Sequence, residues 1–143
     1  MIRKEVHEEA ELIVLEGGEI PEVAYWNAWF FLTSPPPEGL GLHLKAEEVR
    51  HLKEAVCQRY LTIIRRDLTP ENIGKPHYRG VVRARINWER LQRFARKEGF
   101  FANGWRQEIQ RALQDFIKEV SPGDPLQEEA RQFLEELQRE ASL

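Results

Sequence analysis

Seven cations draw notice by their spacing in this 143-residue chain. Projected on a helix at about 100° per residue, Arg79, Arg83, Arg90, Arg93 and Lys97 fall within a sector of roughly 80°. Arg65 and Arg66, at the end of the preceding helical segment, extend the row, as do Lys75 and His77 in the connection. Guanidinium forks bind phosphate and carboxylate bidentately, and a row of them can follow a nucleic-acid backbone. Arg65, Arg66, Arg79, Arg83, Arg90, Arg93 and Lys97 are therefore the candidate binding residues. The chemistry they offer is recognition of nucleic acid or of an acidic protein partner.

The charge balance along the chain makes this row conspicuous. Net charge is −3, but residues 1–49 hold three basic and ten acidic side chains, residues 50–97 thirteen basic and four acidic, and residues 98–143 five basic and ten acidic. The acidic flanks also supply the opposing account. Folded back on the basic middle, they would neutralise it in ordinary ion pairs worth about 0–1 kcal/mol each. A charge run is, besides, commonly a solvated helix face. The sequence pI near 5.9 counts against nucleic acid, since such domains are commonly basic overall, and no nucleic-acid-binding motif is spelled out. Balance discriminates the readings: binding asks for unpaired arginines, catalysis for converging unlike groups.

A second constellation is Glu48-x-x-His51. On a helix it puts a carboxylate and an imidazole on one face, as in di-iron bundles, but such a site needs two copies and two further glutamates. One copy is present, and Glu47 lies four residues from His51, which fits a plain surface pair. His7, His43 and His77 are scattered without ligand spacing. No metal site and no cofactor is expected. Nucleophilic catalysis finds no Gly-x-Ser-x-Gly elbow, no P-loop and no Gly-x-Gly-x-x-Gly turn. An enzyme would have to assemble its site from scattered groups such as Glu48, His51, Asp67 and His77, and whether the chain is one stays open. Cys57 is alone, which excludes an intrachain disulfide and a cysteine-based zinc site, and its helical core spacing suits a small buried hydrophobe.

The elements that must position these residues read as helices. Ile2, Val6, Ala10 and Ile13 fit a helical period over 3–16, with Leu12 to Leu15 as a competing short strand. Pro21 suits the first turn of a second helix, running to about residue 33. Tyr25-Trp26-Asn27-Ala28-Trp29-Phe30-Phe31 makes that helix apolar nearly all round, so it is expected at the centre of the core. A buried strand competes with this reading too. Trp26, Trp29 and Phe30 alternatively make the surface of a homo-oligomer, because aromatics are enriched at interface centres. Ser34-Pro35-Pro36-Pro37 ends the element and favours an extended polyproline segment.

A third helix over about 45–67 carries Val49, Leu52, Val56, Tyr60 and Ile63, with Lys45 a poor cap. Thr69-Pro70-Glu71-Asn72 predicts a short turn. A fourth, over about 81–98, carries Val81, Ala84, Trp88, Leu91 and Ala95 opposite the cationic row, and Gly99 fits its left-handed stop. A fifth runs over about 105–120. Asp124 caps a sixth, with Pro125 at its first position and Gln127 placed for a capping box.

The fold class is thus all-α, a bundle of five or six helices, with a minor β-strand or hairpin near residues 10–32 as the alternative. Residues 1–143 read as one helical domain. No secretory leader and no run of roughly 18 apolar residues is present, so a membrane role is not expected and the cytoplasm is the expected location. The chain reads first as a non-enzymatic binding or interaction protein that uses its basic helical face.

Overall fold

A computed structural model describes residues 1–16, 20–69, 79–100 and 103–141, and six helices lie among these described residues. They are α1 (Lys4–Glu16), α2 (Pro21–Thr33), α3 (Ala46–Asp67), α4 (Gly80–Glu98), α5 (Asn103–Glu119) and α6 (Pro125–Ala141). There is no strand among the described residues, so both N-terminal segments that admitted a strand are helices. Glu8, Glu9 and Glu11 favour that outcome in α1, because acidic residues are depleted in strands. The short turn expected at 69–72 falls, from Pro70 onward, outside the described residues. The helices gather into two compact units, Met1–Tyr60 and Leu61–Leu143.

In the first unit, Val6, Ala10 and Ile13 form the buried stripe of α1, at the spacing the sequence gives them. Paired contacts fix how α1 lies on α3. Arg3 meets Glu48, His7 meets His51, and Arg59 Nη1 donates to the Val14 carbonyl at 3.2 Å. Residue numbers rise together on both helices, so the two run parallel. Arg59 also closes α1, since it reaches the carbonyls of its last turn, which lack helical partners.

α2 departs from its expected place at the centre of the core. It buries one side only, Pro21, Tyr25, Ala28 and Leu32. Trp26 and Phe30 remain 51% and 62% exposed. The three prolines after α2 make a turn instead of an extended segment, with the Pro36–Pro37 bond cis. The chain then doubles back on the end of α2. Leu40 N donates to Phe31 O, Gly41 N to Ser34 O and Leu42 N to Leu32 O, all within 2.9 Å. Those bonds satisfy carbonyls that a helix end leaves orphaned. The approach is so close that a Cβ on Gly39 would collide with the Phe31 carbonyl oxygen and lie 2.6 Å from that of Ser34.

The second unit packs α6 against α4 and α5. Its core holds Val81, Ala84, Trp88 and Leu91 of α4, Ile109, Leu113 and Phe116 of α5, and Ala130, Phe133 and Leu137 of α6. Gly99 ends α4 at φ 81, and Phe100 N donates to Ala95 O at 2.8 Å, the six-to-one bond of a Schellman stop. Asp124 does cap α6, accepting from Leu126 N at 2.9 Å. The capping box does not form. Gln127 reaches back to the Ile117 carbonyl of α5 instead, so it ties two helices together.

Candidate functional site

α4 has two polar sides with different fates. Its inner side carries Trp88, 3% exposed, whose indole N–H donates to Glu140 Oε2 at 3.4 Å. Gln92 donates to the same oxygen at 3.1 Å. Arg106 of α5 lies 3.8 Å from it and stacks over the Trp88 ring at 5.9 Å, an arrangement that combines ion pairing with cation–π attraction. One turn earlier on α6, Glu136 takes Arg85. The carboxylates of α6 thus engage Arg85 and Arg106, two cations that lie off the predicted row.

The row itself is placed as follows. Arg79, Arg83, Arg93 and Lys97 are exposed, and Arg90 is half-buried. Among the described residues none of these five lies within 4 Å of a carboxylate oxygen, although Arg83 acts on Asp67 electrostatically. Arg79 stands at the start of α4 with φ −128 and makes no side-chain cap bond there. At the end of α3, Arg65 makes one long pair with Glu108 of α5 at 3.9 Å, both half in water. Arg66 is exposed and, with Arg83, acts on the buried Asp67 carboxyl. Burial pushes that carboxyl above its usual range, while Arg83 and Arg66 pull it back. Asp67, in the last turn of α3, is thus within electrostatic reach of Arg66 and of Arg83 in the first turn of α4. The exposed Ile86 sits in the same angular sector as the row. Asn87, buried beside it, has a side-chain oxygen with no hydrogen-bond partner among the described residues.

The scattered groups considered for catalysis have other occupations. Glu48 is fully buried and holds the N-terminal segment. Arg3 donates to its two oxygens at 2.6 and 2.9 Å, and the Lys45 N–H donates at 3.0 Å. The last of these is the return bond of a capping box, and it starts α3 despite the poor cap at Lys45. Hydrogen bonding from Arg3 lowers the Glu48 carboxyl to about 2. Arg3 donates as well to the His43 carbonyl. Glu48 is thus a structural carboxylate. Asp67 belongs to the second unit, and His77 lies outside the described residues.

His51 does not pair with Glu47, which goes to the N-terminal amine at 3.2 Å. It meets His7 instead. The rings stack at 5.2 Å, with Nδ1 of His7 and Nε2 of His51 3.2 Å apart. His7 Nε2 lies 2.9 Å from Glu11. If His7 donates to Glu11, its Nδ1 is left to accept from His51. A cavity of about 430 Å³ opens beside this pair, with Ala10, Val14, Leu15 and Ala55 among its walls. His7 stands 44 residues from His51, and no local spacing announces the contact. Among the described residues no group of three or more His, Cys, Asp or Glu side chains is placed to hold a metal ion. Cys57 is buried, and desolvation pushes its thiol up to about 12, in keeping with an inert core residue.

The described residues thus form an all-helical fold, and no described helix is long and apolar enough to cross a membrane. Residues 2–137 match the family described as "Repeat of unknown function (DUF7826)", and the chain belongs to that family. No curated protein and no solved structure matches it.

Proposed function

We propose that this chain is a non-enzymatic binding protein whose contact surface is the cationic side of α4. Arg79, Arg83, Arg90, Arg93 and Lys97 form it, with Arg65 and Arg66 continuing it at the end of α3. The ligand is the phosphate backbone of a nucleic acid; an acidic protein is the alternative. One observation supports the reading: α6 spends inward carboxylates on Arg85 and Arg106, and among the described residues no cation of the row makes an ion pair with α6. From Arg79 to Lys97 the helix rises about 27 Å, enough to follow several phosphates. A cytoplasmic setting suits it.

Fluorescence anisotropy with labelled single- and double-stranded oligonucleotides, repeated over a salt series, tests the proposal. Binding should weaken steeply with salt, and Arg79→Gln, Arg83→Gln and Arg90→Gln together should flatten the slope by about two to three counterions. Absence of binding at low salt overturns it, as does a triple variant that binds like the parent. Binding to polyglutamate but to no oligonucleotide transfers the surface to an acidic protein partner.

A further inference from the structure

We propose that the outer face of α2 is an interface with a second copy of this chain. Val23, Trp26 and Phe30 occupy positions i, i+3 and i+7, within about 60° of helix circumference. They are 52%, 51% and 62% exposed. Ile20 and Phe31, with Leu12 of α1, border them and are 44%, 43% and 44% exposed. A continuous apolar patch of this kind on a chain that is 31% charged marks a contact surface, where single exposed apolar residues would need no explanation. Trp29 is not part of it: that ring is half-buried and lies 6.5 Å from Tyr25.

Three observations identify the occupant. The family is described as a repeat, and units that recur are stabilised by contacts with their own kind. Next, α2 carries one charged residue, Glu22, whose carboxylate accepts from the Tyr60 hydroxyl at 3.1 Å. The α2 stripe itself carries no charge, so like charges approach one another only where the α1 rims meet. A phosphate-bearing partner or an anionic bilayer would ask for flanking lysines and arginines, whereas the neighbouring rim on α1 presents Glu9 and Glu16.

The third observation is shape. Beside the stripe, α1 and α2 enclose a groove of about 390 Å³, with Leu12, Ala24, Ala28 and Phe31 among its walls. A projecting aromatic next to a groove is self-complementary about a two-fold axis, each copy filling the other. Burying both patches removes on the order of 1,000 Å² from water, the size at which specific interfaces begin.

Sedimentation velocity of the full 143-residue chain across a micromolar range tests this. The parent should dimerise, and Trp26→Asp or Phe30→Asp should weaken the dimer roughly thirty-fold or more while helical circular dichroism is retained. Should those variants misfold, Asn27→Cys decides alone. Asn27 is exposed on the same face and Cys57 is buried, so mild oxidation should cross-link Asn27→Cys copies and leave Gln107→Cys copies single. A parent that stays monomeric overturns the proposal, as does a dimer that neither substitution weakens or that Asn27→Cys fails to trap. A monomeric parent that binds neutral lipid vesicles overturns it too, and gives the face to lipid.

Discussion

Glu48 and the α4 cations show two fates of charge in one small protein. Glu48 has 0% exposure and receives bonds from Arg3, its backbone amide and Lys45. Along the row on α4, guanidinium groups are exposed or, at Arg90, half-buried, and none lies within 4 Å of a carboxylate oxygen among the described residues. A buried charge must be fully partnered, because an uncompensated one is very costly in a low-dielectric interior. An exposed charge carries no such requirement and stays available to a ligand. The first kind specifies structure; the second can be changed without disturbing it.

The sharpest way to break that contrast is Glu48→Ala. It strands Arg3, opens a cavity and removes the bond that starts α3, so it should cost about 3 kcal/mol, read as a lower denaturation midpoint in urea. The same contribution depends on pH. The carboxyl lies near 4.5 when unperturbed and near 2 in the folded chain, so the folded state binds the proton less tightly. Its stabilisation is complete above about pH 4.5 and drains away as pH falls toward 2. Thermal melts of the parent and of Glu48→Gln should therefore converge over that window. If they stay parallel, Arg3 is not what holds the carboxylate ionised.

A smaller effect is expected at the end of α2. Gly39→Ala pushes a methyl into the carbonyls of Phe31 and Ser34, which are held in place by the returning chain. A loss of about 2 kcal/mol should appear in the same urea titration. Smaller again is Arg85→Gln, which removes a pair with Glu136 that is partly in water and should cost about 0.5 kcal/mol. The smallest belongs to the row itself: Arg79→Gln, Arg83→Gln and Arg90→Gln combined should leave stability within about 0.5 kcal/mol. A large destabilisation there would mean that the row is structural after all, and the contrast with Glu48 would collapse.

The helices were legible in the sequence to within a residue or two. Val6, Ala10 and Ile13 announce α1, Leu52, Val56 and Tyr60 announce α3, and Pro125 behind Asp124 announces the start of α6. Periodicity and capping act over a few residues, so they can be read locally. The same locality explains the misplacement of α2. Composition says that this helix is apolar all round, but only packing decides how many of its sides find a neighbour. His7 and His51 were invisible as a pair for a related reason, since helix α1 must lie parallel to α3 before the two rings meet. Gln127 satisfied a capping-box pattern and was drawn instead to a carbonyl on another helix.

What the sequence determined by itself is the all-helical class, the limits of the helices and the angular register of the five cations from Arg79 to Lys97, because each follows from covalent spacing and the helical repeat. Tertiary structure alone decided which charges are consumed. The carboxylates of Glu136 and Glu140 were free by sequence to neutralise any arginine within reach. Packing of α6 on the inner side of α4 delivers them to Arg85 and Arg106, and not to the row on the opposite side of α4.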